Sequence, residues 1–191
     1  ISHTPTKTET IVDRYAQYYK GIKIEYSSFS LMAKNDKVSF ISCNIYNVPE
    51  GSSSVPVFTE AGALSKALER IGAQQYKWED TAAENFLKRS RNNPALTYYP
   101  KGELVWVQDM LVPEEQRSRS LHLAYCFNIY SAQPLSRDKV YVDAITGKIL
   151  QVSPLIHTTS GSGPTLYSGT RTFDVNIFSS LYRLVDQTRS A

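Results

Sequence analysis

A run of alternating apolar side chains between residues 121 and 130 most strongly constrains how this chain can fold. The residues on the apolar side of this run are Leu121, Leu123, Tyr125, Phe127 and Ile129. A period of two is the spacing of a β-strand that buries one side. Residues 103–111 and 139–152 read as further strands of the same kind. We therefore expect an antiparallel sheet with one face against a core.

The last of these runs predicts a β-hairpin. Val140 and Val142 alternate into a turn in which Gly147 supplies the flexible residue, before an apolar strand returns. Asp143 precedes this turn, and an acidic residue at a strand end could bind a cation or act as a base. Asp near a turn more often accepts backbone N–H groups. We therefore predict that Asp143 and Gly147 fix the hairpin.

Two amphipathic segments predict helices. Thr59 is suited to cap a helix that ends at Gly72. Thr81 and Glu84 have the spacing of a capping box and would open a second helix, which must stop before Pro94. Helices packed on one face of antiparallel sheets give an α+β fold.

The first 48 residues predict a helix followed by a hairpin. Apolar and aromatic residues recur at helical spacing from Ile11 to Tyr19, and this helix would end at Gly21. Residues 22–33 and 38–47 then read as strands joined at Asn35-Asp36, each with a change of phase that predicts a bulge. Pro, Gly and Ser are concentrated in residues 49–57, which we interpret as a linker between domains.

Composition argues against several classes of function. The formal charge is only +3, and the short basic stretches lack the interleaved aromatic residues that stack nucleic-acid bases, so we expect no nucleic-acid partner. No apolar run approaches the roughly 20 residues needed to span a bilayer. The two cysteines, Cys43 and Cys126, lie in strand-like runs where either free thiols or a disulfide would be compatible with the pattern.

The residues for catalysis by this chain alone are missing. A zinc peptidase of the H-E-x-x-H type needs two histidines one helical turn apart and a carboxylate base, whereas His3, His122 and His157 are widely separated. His122 lies among apolar residues and reads as structural. Trp106 reads as a core residue, and Trp78 is equally compatible with a core or a contact role. We expect that this chain is not itself an enzyme.

Several segments resemble those of one protein family. Residues 142–150, VDAITGKIL, resemble the closing hairpin of PepSY domains, and residues 161–169, GSGPTLYSG, resemble the segment that follows it in thermolysin-like zinc metallopeptidases. Residues 19–25 are similar to the fungalysin/thermolysin propeptide domain, with Tyr26 where that family usually has Gly. Shorter matches at 76–79, 103–106 and 184–189 follow in the same order.

This resemblance implies a division of the chain. The expected parts are a fungalysin/thermolysin propeptide-like domain (9–48), the linker (49–57), a PepSY-like domain (58–153), a processing junction (154–160) and the start of the peptidase catalytic domain (161–191). Both domains would be small antiparallel sheets with helices on one face, of PepSY/cystatin-like type, followed by a C-terminal β-hairpin piece.

The resemblance also implies a function. The chain would be the pro-region of a zinc metalloendopeptidase, acting as intramolecular chaperone and inhibitor of its own catalytic domain. That partner would carry zinc, and calcium, whereas this fragment would hold no cofactor. The protein would be secreted or held in the cell envelope. A free-standing PepSY-type envelope module, or an inhibitor that acts in trans, is the alternative.

Processing is expected near His157 and Thr158. The segment before this point is extended, contains a proline and is partly apolar, which suits a strand that lies in or near a protease cleft. An ordinary surface linker is an equal alternative from the residues alone. The residues of this inhibitory junction segment are Leu150, Gln151, Val152, Ser153, Pro154, Leu155 and Ile156.

Overall fold

The computed structural model describes residues 2–5, 10–35, 37–116, 120–167, 169–178 and 181–184. The fold is α+β, as the sequence predicts. The helices are α1 (Glu60–Ile71) and α2 (Thr81–Ser90). The strands are β1 (Ser2–Pro5), β2 (Thr10–Tyr15), β3 (Tyr18–Tyr19), β4 (Ile22–Ile24), β5 (Ser28–Lys34), β6 (Lys37–Asn44), β7 (Gln75–Tyr76), β8 (Glu103–Val107), β9 (His122–Gln133), β10 (Ser136–Asp143), β11 (Ile149–Pro154), β12 (His157–Thr165), β13 (Gly169–Phe178) and β14 (Leu181–Leu184).

The chain divides into two compact units. The first contains Ile1–Gly72, Tyr99–Asn128 and Val140–Val152, and the second contains the remaining segments, Ala73–Tyr98, Ile129–Lys139 and Ser153–Ala191. The domain limits predicted from the sequence stay a prediction. Residues 49–57 carry no helix or strand.

The predicted N-terminal helix is wrong. Residues 10–15 form β2, which lies between β1 and β5 in a four-stranded antiparallel sheet of order β1-β2-β5-β6. Thr10, Ile11 and Val12 are β-branched and favour a pleated surface over a helix. Pairing with a strand on each side also provides hydrogen-bond partners for the backbone N–H and C=O groups of β2. This stabilisation outweighs the helical spacing of its apolar residues.

The predicted strand over 22–33 is two strands in different sheets. β4 ends at Ile24, and β5 begins at Ser28 after a turn in which Tyr26 has a φ of 59°. The change of phase in the sequence therefore marks a switch between sheets, and the one shift of register in the β5–β6 pair lies later, between Met32 and Ala33. The predicted β5–β6 hairpin itself is confirmed.

A seven-stranded sheet holds the main core. Its order is β11-β10-β9-β8-β4-β3, with β7 paired to β9. The sheet is mixed, because β4 runs parallel to β8 while β8 and β9 are antiparallel. It takes strands from both sides of residues 49–57, so the linker-like segment does not separate two sheets.

The middle of β9 is buried on both faces, which corrects the expectation of one buried side. Leu123, Tyr125 and Phe127 are buried as predicted, yet Ala124 and Cys126 between them are buried too. The second face joins one core cluster. Its residues are Val105, Val107, Ala124, Cys126, Tyr141 and Leu150. The sequence pattern did not predict this second buried face, because its residues in β9 are small or weakly polar and alternate with larger apolar residues.

Helix α1 begins and ends as predicted. The Thr59 hydroxyl accepts the backbone N–H of Gly62 at 3.1 Å, and Gly72 closes the helix at a left-handed φ of 63°. Ala63 and Ala67 on its inner side are fully buried. Trp106 is 2% exposed, which confirms it as a core residue.

Helix α2 ends before Pro94 as predicted, but its predicted capping box does not form. Asp80 is the N-cap, and its Oδ1 accepts the backbone N–H groups of Ala82 and Ala83. Glu84 instead accepts the backbone N–H of Tyr98 at 2.6 Å. A carboxylate one residue earlier displaces Thr81, because an aspartate reaches two amides of the first turn. In the same unit Trp78 stacks on the Tyr76 ring, with 4.4 Å between centroids.

The C-terminal residues form a three-stranded antiparallel sheet of order β12-β13-β14. Its first hairpin pairs Thr165 with Gly169 at the closed end. The hairpin begins at His157, which lies inside the predicted processing junction. Among the described residues, no helix is both long and apolar enough to cross a bilayer.

Candidate functional site

The β10–β11 hairpin turn is built around the Asp143 carboxylate. Its Oδ1 accepts the backbone N–H groups of Ile145 and Thr146, both at 2.8 Å. The Asp143 carbonyl accepts the Gly147 N–H at 2.9 Å. Gly147 has a φ of 72°, which a residue with a side chain adopts only with strain. The two residues predicted to fix the hairpin thus lie together in its turn.

The second oxygen of Asp143 holds His122. The Nδ1 atom of His122 lies 3.0 Å from Oδ2 of Asp143, while Asp143 as a whole is 4% exposed. A carboxylate at one ring nitrogen orients an imidazole and leaves Nε2 for another partner. The sequence predicts a structural role for His122, and its hydrogen bond to the turn agrees with that prediction.

An ion pair lies beside this histidine. Lys148 donates from Nζ to Oδ2 of Asp109 at 2.6 Å. Burial by itself raises the pKa of Asp109, but hydrogen bonds from Lys148 and from the Leu111 N–H outweigh it and hold the pKa below its ordinary value. Asp143 in the turn and Asp109 after β8 thus each have a defined partner.

These groups line a cavity of about 410 Å³. Trp106, Leu121 and Leu123 provide apolar walls, and His122 and Lys148 provide polar groups. Among the described residues, no group of three or more His, Cys, Asp or Glu side chains could hold a metal ion. The cavity therefore combines apolar walls with the His122 ring, which can donate or accept a hydrogen bond.

The predicted inhibitory segment starts inside the sheet. Leu150 is fully buried, and its carbonyl accepts the backbone N–H groups of Met110 and Leu111 at 3.0 and 3.2 Å. Gln151 and Val152 are half-buried. Strand β11 lies at the end of the sheet order, and these bonds cover part of its outer edge.

Gln151 ends a line of hydrogen-bonded side chains. Its Nε2 donates to the Tyr26 hydroxyl at 2.9 Å, which donates to the Tyr141 hydroxyl at 3.3 Å. Tyr141 donates in turn to Oε2 of Glu25 at 3.2 Å, and Lys23 donates to Oε1 of Glu25 at 2.9 Å. We call these five residues the tyrosine relay.

Burial and hydrogen bonding set the protonation states of Tyr141 and Lys23 in the tyrosine relay. Tyr141 is fully buried, and burial together with its hydrogen bond to Tyr26 raises the pKa of its hydroxyl well above the ordinary value. The hydrogen bond to Glu25 raises the pKa of Lys23 more than burial lowers it. Tyr141 therefore stays a neutral donor and Lys23 stays a cation.

The segment after Val152 is open to solvent. Pro154 and Leu155 are exposed, with Leu155 at 39%, and the Leu155 N–H donates to the Arg137 carbonyl at 2.7 Å. The backbone of His157 and Thr158 begins β12, opposite Ile177 and Asn176. Their side chains lie outside the part of the chain that the structure describes.

Sequence reasoning missed the tyrosine relay. Glu25, Tyr26 and Tyr141 are far apart in the chain, and their meeting depends on β4 lying beside β8. The sequence contained one signal, because Tyr26 stands at a position where the resemblance to the propeptide domain implies Gly, the residue that most easily adopts a positive φ. In the structure the φ of Tyr26 is 59°. Cys43 is exposed and Cys126 is buried, and the two do not form a disulfide, so the disulfide alternative does not hold.

The sequence matches no model of a known protein family, and a search of curated proteins finds no match either.

Proposed function

We propose that this chain is the pro-region of a secreted zinc metalloendopeptidase of thermolysin type, which assists the folding of its own catalytic domain and then restrains it. The observation that carries the proposal is the order of parts around β11. A hairpin whose sequence resembles the closing hairpin of PepSY domains leads, through the exposed Pro154 and Leu155, into strands whose sequence resembles the start of the mature enzyme.

The geometry of this segment supports cleavage after folding. A protease needs an extended and accessible stretch of chain, and residues 153–156 are intermediate or exposed while Leu150 just before them is anchored in the core. Hydrolysis here would leave the hairpin intact and separate it from β12. Processing near His157 and Thr158 stays part of the proposal.

The physical logic is that of a tethered inhibitor. An inhibitor attached to its enzyme has a high effective concentration, so it blocks the enzyme without extreme intrinsic affinity, and cleavage of the tether removes that advantage. A pro-region that stabilises the folding transition state would also speed the formation of a kinetically stable enzyme. Zinc would belong to the catalytic domain, since the sequence of this chain contains no H-E-x-x-H motif.

The test is a titration of the intact 191-residue chain into thermolysin-like peptidases, with hydrolysis of a short fluorogenic peptide as the readout. We expect saturable inhibition at a stoichiometry near one, strongest with the peptidase encoded by the same gene. Gel analysis at each point shows whether the chain is cut between residues 152 and 158.

A matched control separates specific binding from competition by an unfolded substrate. The Asp143→Ala chain, whose hairpin turn is weakened, and a heat-unfolded sample are titrated in parallel. Inhibition by the folded chain alone supports the pro-region. Absence of inhibition of the cognate enzyme by a folded chain would favour the free-standing envelope module, with its ligand to be found by other means.

A further inference from the structure

We propose that the tyrosine relay is a latch that holds the start of the processing segment on the sheet, with Tyr26 as its positioning residue. This inference rests on the proposed function for its biological meaning, since the segment it holds is the predicted cleavage region. The relay links Gln151, in β11, to Glu25 at the end of β4, through the hydroxyl groups of Tyr26 and Tyr141.

The direction of the hydrogen bonds makes Tyr26 the central member. Its hydroxyl accepts from Gln151 and donates to Tyr141, so it uses both of its functions. Tyr141 is fully buried and donates to Glu25, which is 8% exposed. Loss of the Tyr26 hydroxyl would remove one hydrogen bond from Gln151 and one from Tyr141. Tyr26 is 46% exposed, so water replaces part of this loss and the net effect is that of the hydrogen bonds themselves.

The backbone at Tyr26 is held in place against its own preference. A φ of 59° is costly for a tyrosine, because its Cβ approaches the following carbonyl oxygen. Bonds from both sides fix this turn, because the Ile24 carbonyl accepts the Ser27 N–H and hydroxyl, and Asn44 donates to the Tyr26 carbonyl. Strained residues of this kind persist only where their surroundings over-determine them. Here the result is a ring directed to Tyr141 and Gln151.

Gln151 is held through only one end of its amide. Its Nε2 donates to Tyr26, while its Oε1 is buried and accepts no hydrogen bond from any described residue. The side chain lines a cavity of about 190 Å³ together with Glu25, Tyr26 and Met110. Release of the Gln151 side chain to water would give Oε1 a hydrogen-bond donor, which offsets part of the loss of the bond to Tyr26. The Gln151 side chain is therefore easier to release than a fully hydrogen-bonded amide.

Opening of the latch controls access to the segment that follows. A protease cleaves a folded chain at a strand end only after local unfolding, and its rate then tracks the population of the open form. Gln151 lies three residues before the exposed Pro154. Detachment of Gln151 would extend the accessible stretch of chain toward the length that binds in a protease cleft.

The test compares Tyr26→Phe and Gln151→Met with the natural chain, using hydrogen exchange and limited cleavage by a broad-specificity serine protease. We expect exchange at residues 150–152 and cleavage between 152 and 158 to rise about tenfold in both variants, which is the effect of about 1.4 kcal/mol. Exchange in β8 should stay unchanged. Tyr167→Phe is the matched control, because Tyr167 is 92% exposed and lies outside the relay.

Two outcomes would overturn the latch. One is exchange and cleavage at 150–158 that match the natural chain in both variants. The other is an equal acceleration in β8 and β11, which would mean that the relay contributes only to global stability. Neither readout uses the peptidase. A failure of the inhibition assay would therefore refute the proposed function without testing the latch, which the exchange and cleavage measurements test separately.

Discussion

The imidazole of His122 and the carboxylate of Asp143 are joined by a 3.0 Å hydrogen bond that ties the first residue of β9 to the turn at the end of β10. The backbone repeats this link, since the Ala144 N–H donates to the Leu123 carbonyl at 2.8 Å. Asp143 therefore serves two structures at once, the turn through Oδ1 and the neighbouring strand through Oδ2.

Replacement of Asp143 should destabilise the first unit strongly. Asp143→Ala leaves the N–H groups of Ile145 and Thr146 without their acceptor and His122 without its partner, so we expect a loss of about 2–4 kcal/mol in the free energy of unfolding. Urea unfolding followed by tryptophan fluorescence measures it. Glu69→Ala is the control, because the Glu69 side chain is 72% exposed; equal losses in the two variants would contradict this account.

Two glycines with left-handed backbone allow the space around the turn to be tested. A Cβ at Gly147 would lie 3.0 Å from the Phe58 ring, whereas a Cβ at Gly51 would meet no atom within 4 Å. Gly51→Ala should cost only the backbone strain, about 1 kcal/mol, and Gly147→Ala should cost about 1 kcal/mol more. The comparison is made by thermal and urea unfolding, and equal costs would show that Phe58 moves aside freely.

The Asp109–Lys148 pair should contribute to stability against acid. Because the pKa of Asp109 is lowered in the folded state, its contribution is present above the unfolded value of about 3.9 and is lost as the pH falls through the folded pKa. Asp109→Asn should therefore flatten the loss of stability below pH 4, and near neutral pH it should cost no more than about 1 kcal/mol, since Lys148 is 59% exposed. Unfolding curves between pH 2 and pH 7 test this; an unchanged acid limb would refute it.

Tyr141 should make the protein sensitive to alkali. Its raised pKa keeps the proton in the folded state, while the unfolded chain loses it above about pH 10. The unfolded state then binds fewer protons, so stability falls by about 1.4 kcal/mol per pH unit from this group alone. Tyr141→Phe should show a shallower decline between pH 10 and 11.5 in urea unfolding. A decline of the same slope in both proteins would assign it to other groups.

Two adjacent residues at the start of α2, Asp80 and Thr81, should differ in how much they stabilise the helix. Asp80→Ala removes the acceptor for Ala82 and Ala83 and should cost about 1 kcal/mol, whereas Thr81→Ala should change stability by less than about 0.5 kcal/mol. Hydrogen exchange at residues 82–84 reports the same difference locally. A larger effect at Thr81 would restore the capping box that the sequence predicts.

Local signals predicted the elements that depend on nearby residues. Thr59 and Gly72 bound α1 because a cap acts within one turn of its own helix. The turn between Asp143 and Gly147 follows from hydrogen bonds between residues two to four positions apart. In both places the interaction energy is local, so the sequence carries it directly.

Predictions failed where distant strands compete for the same residues. The apolar residues of 10–15 have helical spacing, yet this segment pairs with a strand on each side. Ala124 and Cys126 lie on the side of β9 that the period of two predicts to be exposed, yet that face of the sheet also carries a core. Packing partners from elsewhere in the chain decide such cases, and no local window contains them.

The sequence by itself determined the α+β class, the two helices with their main boundaries, and the β10–β11 hairpin, because each follows from spacing and capping within a few residues. Only the tertiary structure decided that β4 runs parallel to β8, and hence that Tyr26, Tyr141 and Gln151 meet. The physical reason is that pairing of strands far apart in the chain, such as Ile24 in β4 with Trp106 in β8, is settled by the total burial and hydrogen bonding of the sheet, which no short segment encodes.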